Sequence, residues 1–246
     1  MLMELVIEDA KFFKQCVDAI VNLVDEGSFE ASKDGLKLRT MDPSQIAMVD
    51  FSLESGAFKK FDCGETRSLT VNLADFNKVL ARTRPDEKLT LTLDEKNSRL
   101  ALKFKGASTR NFKLPLLESS AAFPREPKIA FEATIKLNGG EFKSMLRDAG
   151  LLSSHVTLKV SGDSFFVEAH GDSGDLEVES KKGKTIIEIK GEASAMYPYE
   201  YLDDVTRACP DDAEITLEMK TDAPIRTSYE IGKAKLAYFL APRVES

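Results

Sequence analysis

The chain repeats one sequence pattern twice, and this duplication limits its possible folds more than any other feature. Residues 12–19 align with residues 142–149, and residues 82–87 (RTRPDE) align with residues 207–212 (RACPDD). The separation stays between 125 and 130 residues throughout. Similar text at a fixed separation indicates two copies of one structural unit. A length of 246 residues is enough for two units, each with its own core.

Each copy carries two amphipathic helical patterns, in which apolar residues recur on one face at a period near 3.6. The first copy has one stripe of Phe13, Cys16, Val17, Ile20 and Val24 and a second of Leu73, Phe76, Val79, Leu80 and Thr83. The second copy has Phe142, Met145, Leu146 and Ala149, then Tyr201, Leu202, Val205 and Cys209. Asn72 is predicted to cap its helix, with the acid Asp75 in the first turn. Pro85 and Pro210 indicate that each second helix has ended before them.

Between the helices the pattern alternates with a period of two, which is typical of strands. Examples are residues 89–93, 100–104, 157–160, 186–189 and 215–219, separated by turn sequences such as 33–35, 161–163 and 171–174. The fold class is therefore α+β, with two topologically similar domains that each hold two helices and antiparallel sheets. We place the domains at 1–117 and 129–246, joined by a linker at 118–128 that contains two prolines.

The charge balance argues against tight nucleic-acid binding. Net charge is −7, and the two halves carry 20 basic with 20 acidic and 14 basic with 21 acidic side chains. Proteins that grip nucleic acid through many phosphate contacts usually have a basic domain. The scattered Cys16, Cys63 and Cys209 predict buried thiols and no zinc site, and no apolar run is long enough for a membrane span. With no signal-peptide pattern at the start, we expect a cytoplasmic protein, or a nuclear one in a eukaryote.

No catalytic motif is present. The chain lacks a nucleophile elbow, a phosphate loop and a dinucleotide fingerprint, and residues 138–141 (NGGE) are interpreted as a turn before a helix. Adjacent acids such as Asp203 and Asp204 point about 100° apart on a helix, so we expect them not to share one site. We therefore predict that the chain is not an enzyme and needs no cofactor or metal.

Three separated motifs resemble the archaeal and eukaryotic sliding clamp family, proliferating cell nuclear antigen. They are residues 40–49 (TMDPSQIAMV), residues 71–80 (VNLADFNKVL) and residues 236–245 (LAYFLAPRVE). The resemblance runs from end to end of the chain. It implies a ring of three subunits whose helices line a hole for duplex DNA, and a role as a DNA polymerase processivity factor. It also implies partners that bind through short peptide motifs: DNA polymerase, the clamp loader, flap endonuclease and DNA ligase.

The resemblance also implies three sets of site residues. The DNA-facing set is Lys11, Lys14, Lys78, Lys143, Arg147 and Arg207. The partner-peptide pocket comprises Met41, Gln45, Ile46, Met48, Phe123, Pro124, Pro224, Phe239, Ala241 and Pro242. The subunit interface comprises Arg82, Arg84, Arg110, Lys113, Asp148, Glu177 and Glu179, on or near paired edge strands at 108–115 and 175–182. A few weak, sequence-independent phosphate contacts would suffice for a ring that holds DNA by encircling it, which reconciles a DNA role with the acidic composition.

Plainer interpretations stay open at this point. The six cations are also what an ordinary solvated helix face would carry, and Met41, Met48 and Phe239 could be core residues. Ala121 and Phe239 depart from the family's usual pocket residues, which leaves the preferred partner open. A checkpoint-type clamp subunit and a β-rich protein-interaction module without a DNA role are the alternative functions. Whether three identical chains or sister subunits form the ring is also open.

Overall fold

The computed structural model describes residues 3–118, 123–183 and 185–243, and contacts divide the chain into two units. The first unit contains Met1–Asp42, Val49–Pro124 and Ile231–Lys235. The second contains Pro43–Met48, Arg125–Glu230 and Leu236–Ser246. Residues 123–132, which include part of the expected linker, form neither helix nor strand.

The first unit holds two helices and two groups of antiparallel strands. The helices are α1 (Ala10–Val21) and α2 (Leu73–Leu80). The strands are β1 (Glu4–Ile7), β2 (Glu26–Ser32), β3 (Gly35–Met41), β4 (Ala47–Glu54), β5 (Lys60–Asp62), β6 (Arg67–Asn72), β7 (Lys88–Asp94), β8 (Arg99–Lys105) and β9 (Thr109–Pro115). Their neighbour orders are β5-β1-β7-β8-β9 and β4-β3-β2-β6. The predicted strands at 89–93 and 100–104 pair with each other, with Leu91 opposite Leu102.

The second unit repeats this plan. Its helices are α3 (Gly139–Gly150) and α4 (Tyr199–Arg207). Its strands are β10 (Ala133–Asn138), β11 (His155–Ser161), β12 (Ser164–Gly171), β13 (Gly174–Lys181), β14 (Ile186–Lys190), β15 (Ala193–Pro198), β16 (Glu214–Met219), β17 (Ile225–Ile231) and β18 (Ala234–Leu240). The orders are β14-β10-β16-β17-β18 and β13-β12-β11-β15. Adding nine to each strand number of the first unit reproduces the second, which confirms the predicted duplication and fold class.

Asparagine side chains begin two of the helices. The Asn72 side chain accepts a hydrogen bond from the Asp75 amide at 2.9 Å, which confirms the predicted cap of α2. Asn138 does the same for α3, accepting from the Glu141 amide at 3.1 Å. The interpretation of residues 138–141 as a turn was therefore wrong, because the glycine pair forms the first turn of α3. A Cβ on Gly139 would lie 2.7 Å from Cys209 Sγ, so the close packing there requires glycine.

The predicted helical stripes face the cores of the two units. Phe13 of α1 meets Phe76 of α2 edge to face, with ring centroids 6.2 Å apart, and Phe142 of α3 packs on Phe165 of β12. All three cysteines are buried free thiols, as predicted. Burial raises the pKa of Cys16 to about 12 and that of Cys209 to about 11, because the apolar surroundings disfavour the thiolate.

Candidate functional site

Within the first unit, two of the three predicted DNA-facing lysines form ion pairs on their own helices. Lys14 pairs with Asp18 one turn along α1, and Lys78 Nζ lies 2.9 Å from Asp75 Oδ1 on α2. Lys11 is exposed near the start of α1, and its ammonium has no ion pair among the described residues. The helices α1 and α2 pack together, so the three cations belong to one helical layer.

Within the second unit, the three predicted cations differ sharply in accessibility. The Lys143 side chain is only 11% exposed, and its Nζ donates to the Cys209 carbonyl at 2.7 Å and pairs with Asp211. This ion pair lowers the pKa of Asp211. Arg147 is exposed near the end of α3, and its side chain has no ion pair in the described part of the chain. Lys143 therefore ties α3 to the loop after α4, whereas Arg147 remains accessible.

Arg207 forms ion pairs with two adjacent carboxylates, those of Asp203 and Asp204. Its Nη2 lies 2.6 Å from Asp203 Oδ2 and 2.9 Å from Asp204 Oδ1. The expectation that the two acids could not share a site was wrong. Positions four and three residues before Arg207 both lie within reach of its long side chain on one helix face. Burial raises the pKa of Asp204, and the hydrogen bond from Arg207 to Asp203 raises the pKa of the guanidinium.

Of the strands that end the sheets, β9 and β13 carry four of the predicted interface residues: Arg110, Lys113, Glu177 and Glu179. β9 pairs with β8 and β13 pairs with β12, and neither has a second neighbour among the described residues. Along β9, the alternate side chains Arg110, Phe112 and Leu114 are half-buried. Along β13, Leu176, Val178 and Ser180 are half-buried in the same alternation. Each strand therefore presents unpaired backbone groups beside incompletely covered apolar side chains, which is typical of an edge that another strand covers.

Arg110, predicted for the subunit interface, makes its contacts inside the first unit. Its Nη2 lies 2.5 Å from Glu87 Oε2, and its Nη1 donates to the Arg82 carbonyl at 2.9 Å. Its guanidinium lies 5.1 Å from the centroid of the Phe104 ring. The Glu87 side chain is 3% exposed and also accepts from the Arg84 amide at 2.8 Å. These contacts attach β9 to the loop that precedes β7.

The other predicted interface residues lie at the surface. Lys113 Nζ is 3.5 Å from Asp94, and Glu177 and Asp148 are exposed. Glu179 accepts from Ser164 Oγ at 2.7 Å, and this hydrogen bond lowers its pKa, with a smaller contribution from Lys181. These charges are consistent with an accessible strand β13 and last turn of α3. Their role at a subunit boundary stays a prediction.

Seven of the ten predicted pocket residues belong to the second unit: Gln45, Ile46, Met48, Pro224, Phe239, Ala241 and Pro242. The Ala241 amide donates to the Ile46 carbonyl at 2.9 Å, which holds the segment 43–48 beside the C-terminal residues. Met48 and Phe239 are buried. Gln45 is exposed with a left-handed φ of 58°. The Pro224 and Pro242 side chains are half-buried.

The other three predicted pocket residues, Met41, Phe123 and Pro124, belong to the first unit. Met41 is 38% exposed and Phe123 is 42% exposed, which is unusual for large apolar side chains. Pro124 is half-buried. Ala121, the noted departure from the family pattern, lies outside the described residues.

Two arginines beside the predicted pocket residues of the second unit were not predicted. The Arg226 guanidinium lies 5.9 Å from the centroid of the Phe239 ring and pairs across strands with Glu218. Arg243, next to Pro242, contacts the His155 ring at 2.7 Å and anchors its own amide on the Met196 carbonyl at 2.8 Å. The contacts of Arg226 with Phe239 and of Arg243 with His155 join residues that are separated in sequence, so local patterns do not reveal them. The only sequence signal for Arg226 was its position on a strand with alternating apolar residues.

Neither a metal cluster nor a membrane helix is found in the regions described. No three His, Cys, Asp or Glu side chains there are grouped to hold a metal ion. None of the helices formed by those residues is long and apolar enough to cross a membrane.

Comparison with known proteins agrees across the whole chain. Residues 1–118 match the family model of the proliferating cell nuclear antigen N-terminal domain, and residues 126–244 match that of its C-terminal domain. A protein of Methanococcus maripaludis named DNA polymerase sliding clamp is 33% identical over 241 residues, covering 95% of this chain and 96% of the relative. A Pyrococcus furiosus protein of the same name is 30% identical over 246 residues, with 98% of each chain covered.

Solved structures agree with this fold. The structure of the C-terminal region of FEN-1 bound to A. fulgidus PCNA matches with a TM-score of 0.91 and 26% identity over 99% of each chain. The PCNA2-PCNA3 complex of Sulfolobus tokodaii matches with a TM-score of 0.89 and 23% identity, covering 99% of this chain and 100% of the other. The family models span both halves, and relatives above 30% identity span nearly the full length, so the chain belongs to the proliferating cell nuclear antigen family of DNA polymerase sliding clamps.

Proposed function

We propose that three copies of this chain close into a ring around duplex DNA and hold DNA polymerase and other replication and repair proteins on it. The observation that carries the proposal is that the two strands with predicted interface residues, β9 in the first unit and β13 in the second, are both open edges. A chain with two different open edges can join head to tail, and such contacts close into a ring when the rotation between copies permits.

The side chains on the two edges support this pairing. If β9 of one copy lies beside β13 of the next, their unpaired amides and carbonyls are satisfied, and Phe112 and Leu114 are covered by Leu176 and Val178. The charges also complement each other, since β9 carries Lys113 whereas β13 carries Glu177 and Glu179. Arg110 contributes little to this attraction, because Glu87 already neutralises it.

The proposed work of the ring is tethering and not catalysis, and it takes no cofactor. Partners would bind through short peptides whose apolar anchors enter the predicted pocket, as the A. fulgidus relative binds the C-terminal region of FEN-1. The exposed Met41 and Phe123 support this assignment, and a flexible methionine suits a surface that accepts several partners. DNA polymerase, the clamp loader, flap endonuclease and DNA ligase are the expected partners. The ring would act where the chromosome lies: in the cytoplasm of an archaeon or the nucleus of a eukaryote.

Retention on DNA of different topology tests the proposal. After loading by a clamp loader, the protein should stay on a closed circle and be lost when one cut makes the circle linear. Equal loss from circle and linear DNA would refute topological tethering. Light scattering should give the mass of three chains for the protein alone. A monomer that trimerises only with other clamp subunits would instead support a mixed ring of the kind suggested by the PCNA2-PCNA3 complex. A monomer that never joins a ring would support the β-rich interaction module.

A further inference from the structure

The four helices carry no net positive charge. Within Ala10–Val21, Leu73–Leu80, Gly139–Gly150 and Tyr199–Arg207 there are six cationic and seven acidic side chains. A surface that binds duplex DNA through phosphates relies on an excess of cations, because binding strength follows the number of phosphates neutralised. If these helices face DNA, the number of cations is therefore a poor guide to the number of phosphates that they bind.

Intramolecular ion pairs occupy most of the cations. Asp18 neutralises Lys14, and Asp75 neutralises Lys78. Arg207 is shared by Asp203 and Asp204, so this part of α4 is net negative. Lys143 is withdrawn from the surface by Asp211 and the Cys209 carbonyl. A phosphate that approaches any of these cations meets a carboxylate within a few ångströms and is repelled by it.

Two cations differ from the rest. Lys11 on α1 and Arg147 on α3 are exposed, and neither has an ion pair among the residues that the structure describes. Arg147 only adds to the larger effect of Lys143 in lowering the pKa of Asp211. Lys11 lies one turn before the paired Lys14 on the same helix. Arg147 is the same residue type as the paired Arg207 on the neighbouring helix, which packs against α3. Each cation without an ion pair, Lys11 or Arg147, therefore has an ion-paired cation close by, Lys14 or Arg207. We call the ion-paired cations masked.

We propose that Asp18, Asp75 and the Asp203–Asp204 pair attenuate DNA contact, so that Lys11 and Arg147 make the principal phosphate contacts of each copy. This inference rests on the proposed function, in which the helices face DNA. The side chains of Lys78 and Arg207 are more than half exposed. Their ion pairs with acids therefore weaken phosphate contact without abolishing it. A ring with few strong contacts would move along DNA with little resistance, and encirclement would keep it there.

Matched glutamine substitutions test the masking. The dissociation constant of a short fluorescent duplex is measured by anisotropy over a range of salt concentrations, using the assembled protein. Lys11→Gln should weaken binding about three- to tenfold and reduce the salt slope by about 0.9 for each phosphate that is no longer neutralised. Lys14→Gln should weaken binding clearly less. Arg147→Gln should likewise exceed Arg207→Gln. Lys33→Gln, in an exposed turn outside the helices, controls for the removal of one positive charge.

Removal of the masking acid provides the converse test. Asp18→Asn should tighten binding severalfold, and this gain should disappear in the Asp18→Asn/Lys14→Gln double variant. Circular dichroism should show that the helices remain folded. Losses of affinity from Lys14→Gln and Arg207→Gln as large as those from Lys11→Gln and Arg147→Gln, or no gain from Asp18→Asn, would overturn the proposal.

Retention on closed circles separates this inference from the proposed function. If all variants stay on circles and leave linear DNA, but the matched substitutions have equal effects on duplex affinity, masking is wrong and the clamp function stands. If the unaltered protein leaves circles and linear DNA at the same rate, the clamp function fails and the masking proposal fails with it.

Discussion

Replacement of Arg110 by alanine should destabilise the first unit, because the arginine neutralises a carboxylate that has almost no access to water. Glu87 is 3% exposed, and its Oε2 is held by Arg110 Nη2 at 2.5 Å and by the Arg84 amide at 2.8 Å. Without Arg110, Glu87 Oε2 keeps only the hydrogen bond from the Arg84 amide. The guanidinium would also no longer bind the Arg82 carbonyl or cover the Phe104 ring.

The structure sets the size of the effect. Removing one partner of a buried ion pair costs about 3–5 kcal/mol, because the remaining charge is buried without compensation. Arg110 is 18% exposed, so water can partly enter the space it leaves, and we expect the lower end, about 3 kcal/mol. With a urea dependence of about 2–3 kcal/mol per molar, the unfolding midpoint should fall by at least about 1 M.

Urea unfolding followed by circular dichroism, at one fixed protomer concentration, measures this effect. Lys113→Ala is the matched control on the same strand, since its ion pair with Asp94 at 3.5 Å lies at the surface and should contribute little to stability. The double variant Arg110→Met/Glu87→Leu should recover part of the stability, because no unpaired charge remains. If Arg110→Ala lowers the unfolding free energy by less than about 1 kcal/mol but dissociates the ring, the reasoning is refuted, and Arg110 acts across the subunit boundary.

Three further outcomes follow from described features. Leu176→Glu on β13 should shift the light-scattering mass from trimer to monomer without unfolding the chain, since a charge replaces an apolar contact of the proposed edge pairing; an intact trimer would contradict it. Asn138→Ala should lower the unfolding free energy by about 1 kcal/mol, because it removes the cap of α3. Urea unfolding measures this change, and an unchanged free energy would contradict the prediction. Burial raises the pKa of Cys16 to about 12 and of Cys209 to about 11, so above pH 9 the unfolded thiols ionise while the folded ones stay protonated. The contribution of these thiols to stability is therefore complete below pH 9 and is lost as pH rises to about 11 for Cys209 and to about 12 for Cys16. The variant Cys16→Ser/Cys209→Ser should be less sensitive to pH in that interval, and equal sensitivity would disprove the assignment.

The elements were predictable because their patterns are local. Strand β7 alternates apolar and polar residues over its length, and β8 does so except at Ala101. The helix α2 begins at an asparagine cap followed by apolar residues at helical spacing. The duplication predicted that the second unit repeats the succession of helices and strands of the first. The glycine pair at the start of α3 was misread because its cause, the nearby Cys209 side chain, is distant in sequence.

The state of the individual charges was not predictable for the same reason. Lys143 lies off the apolar stripe of its helix and was expected in solvent, yet Cys209 and Asp211, more than sixty residues later, enclose it. Arg110 was assigned to the subunit interface, and its pairing with Glu87, in the loop that precedes β7, was not predicted. Periodicity reports which face of a helix is apolar, and it carries no information on which acid a cation meets.

The shared strand order of the two units implies that one ancestral gene encoded a single unit and was later duplicated and fused. Before fusion, a single gene encoded every copy of each helix, so one substitution altered all equivalent positions at once. Fusion released that constraint. The helix α4 carries three acids, whereas the corresponding helix α2 carries one. After fusion, natural selection could change the charge of one half without changing the charge of the other.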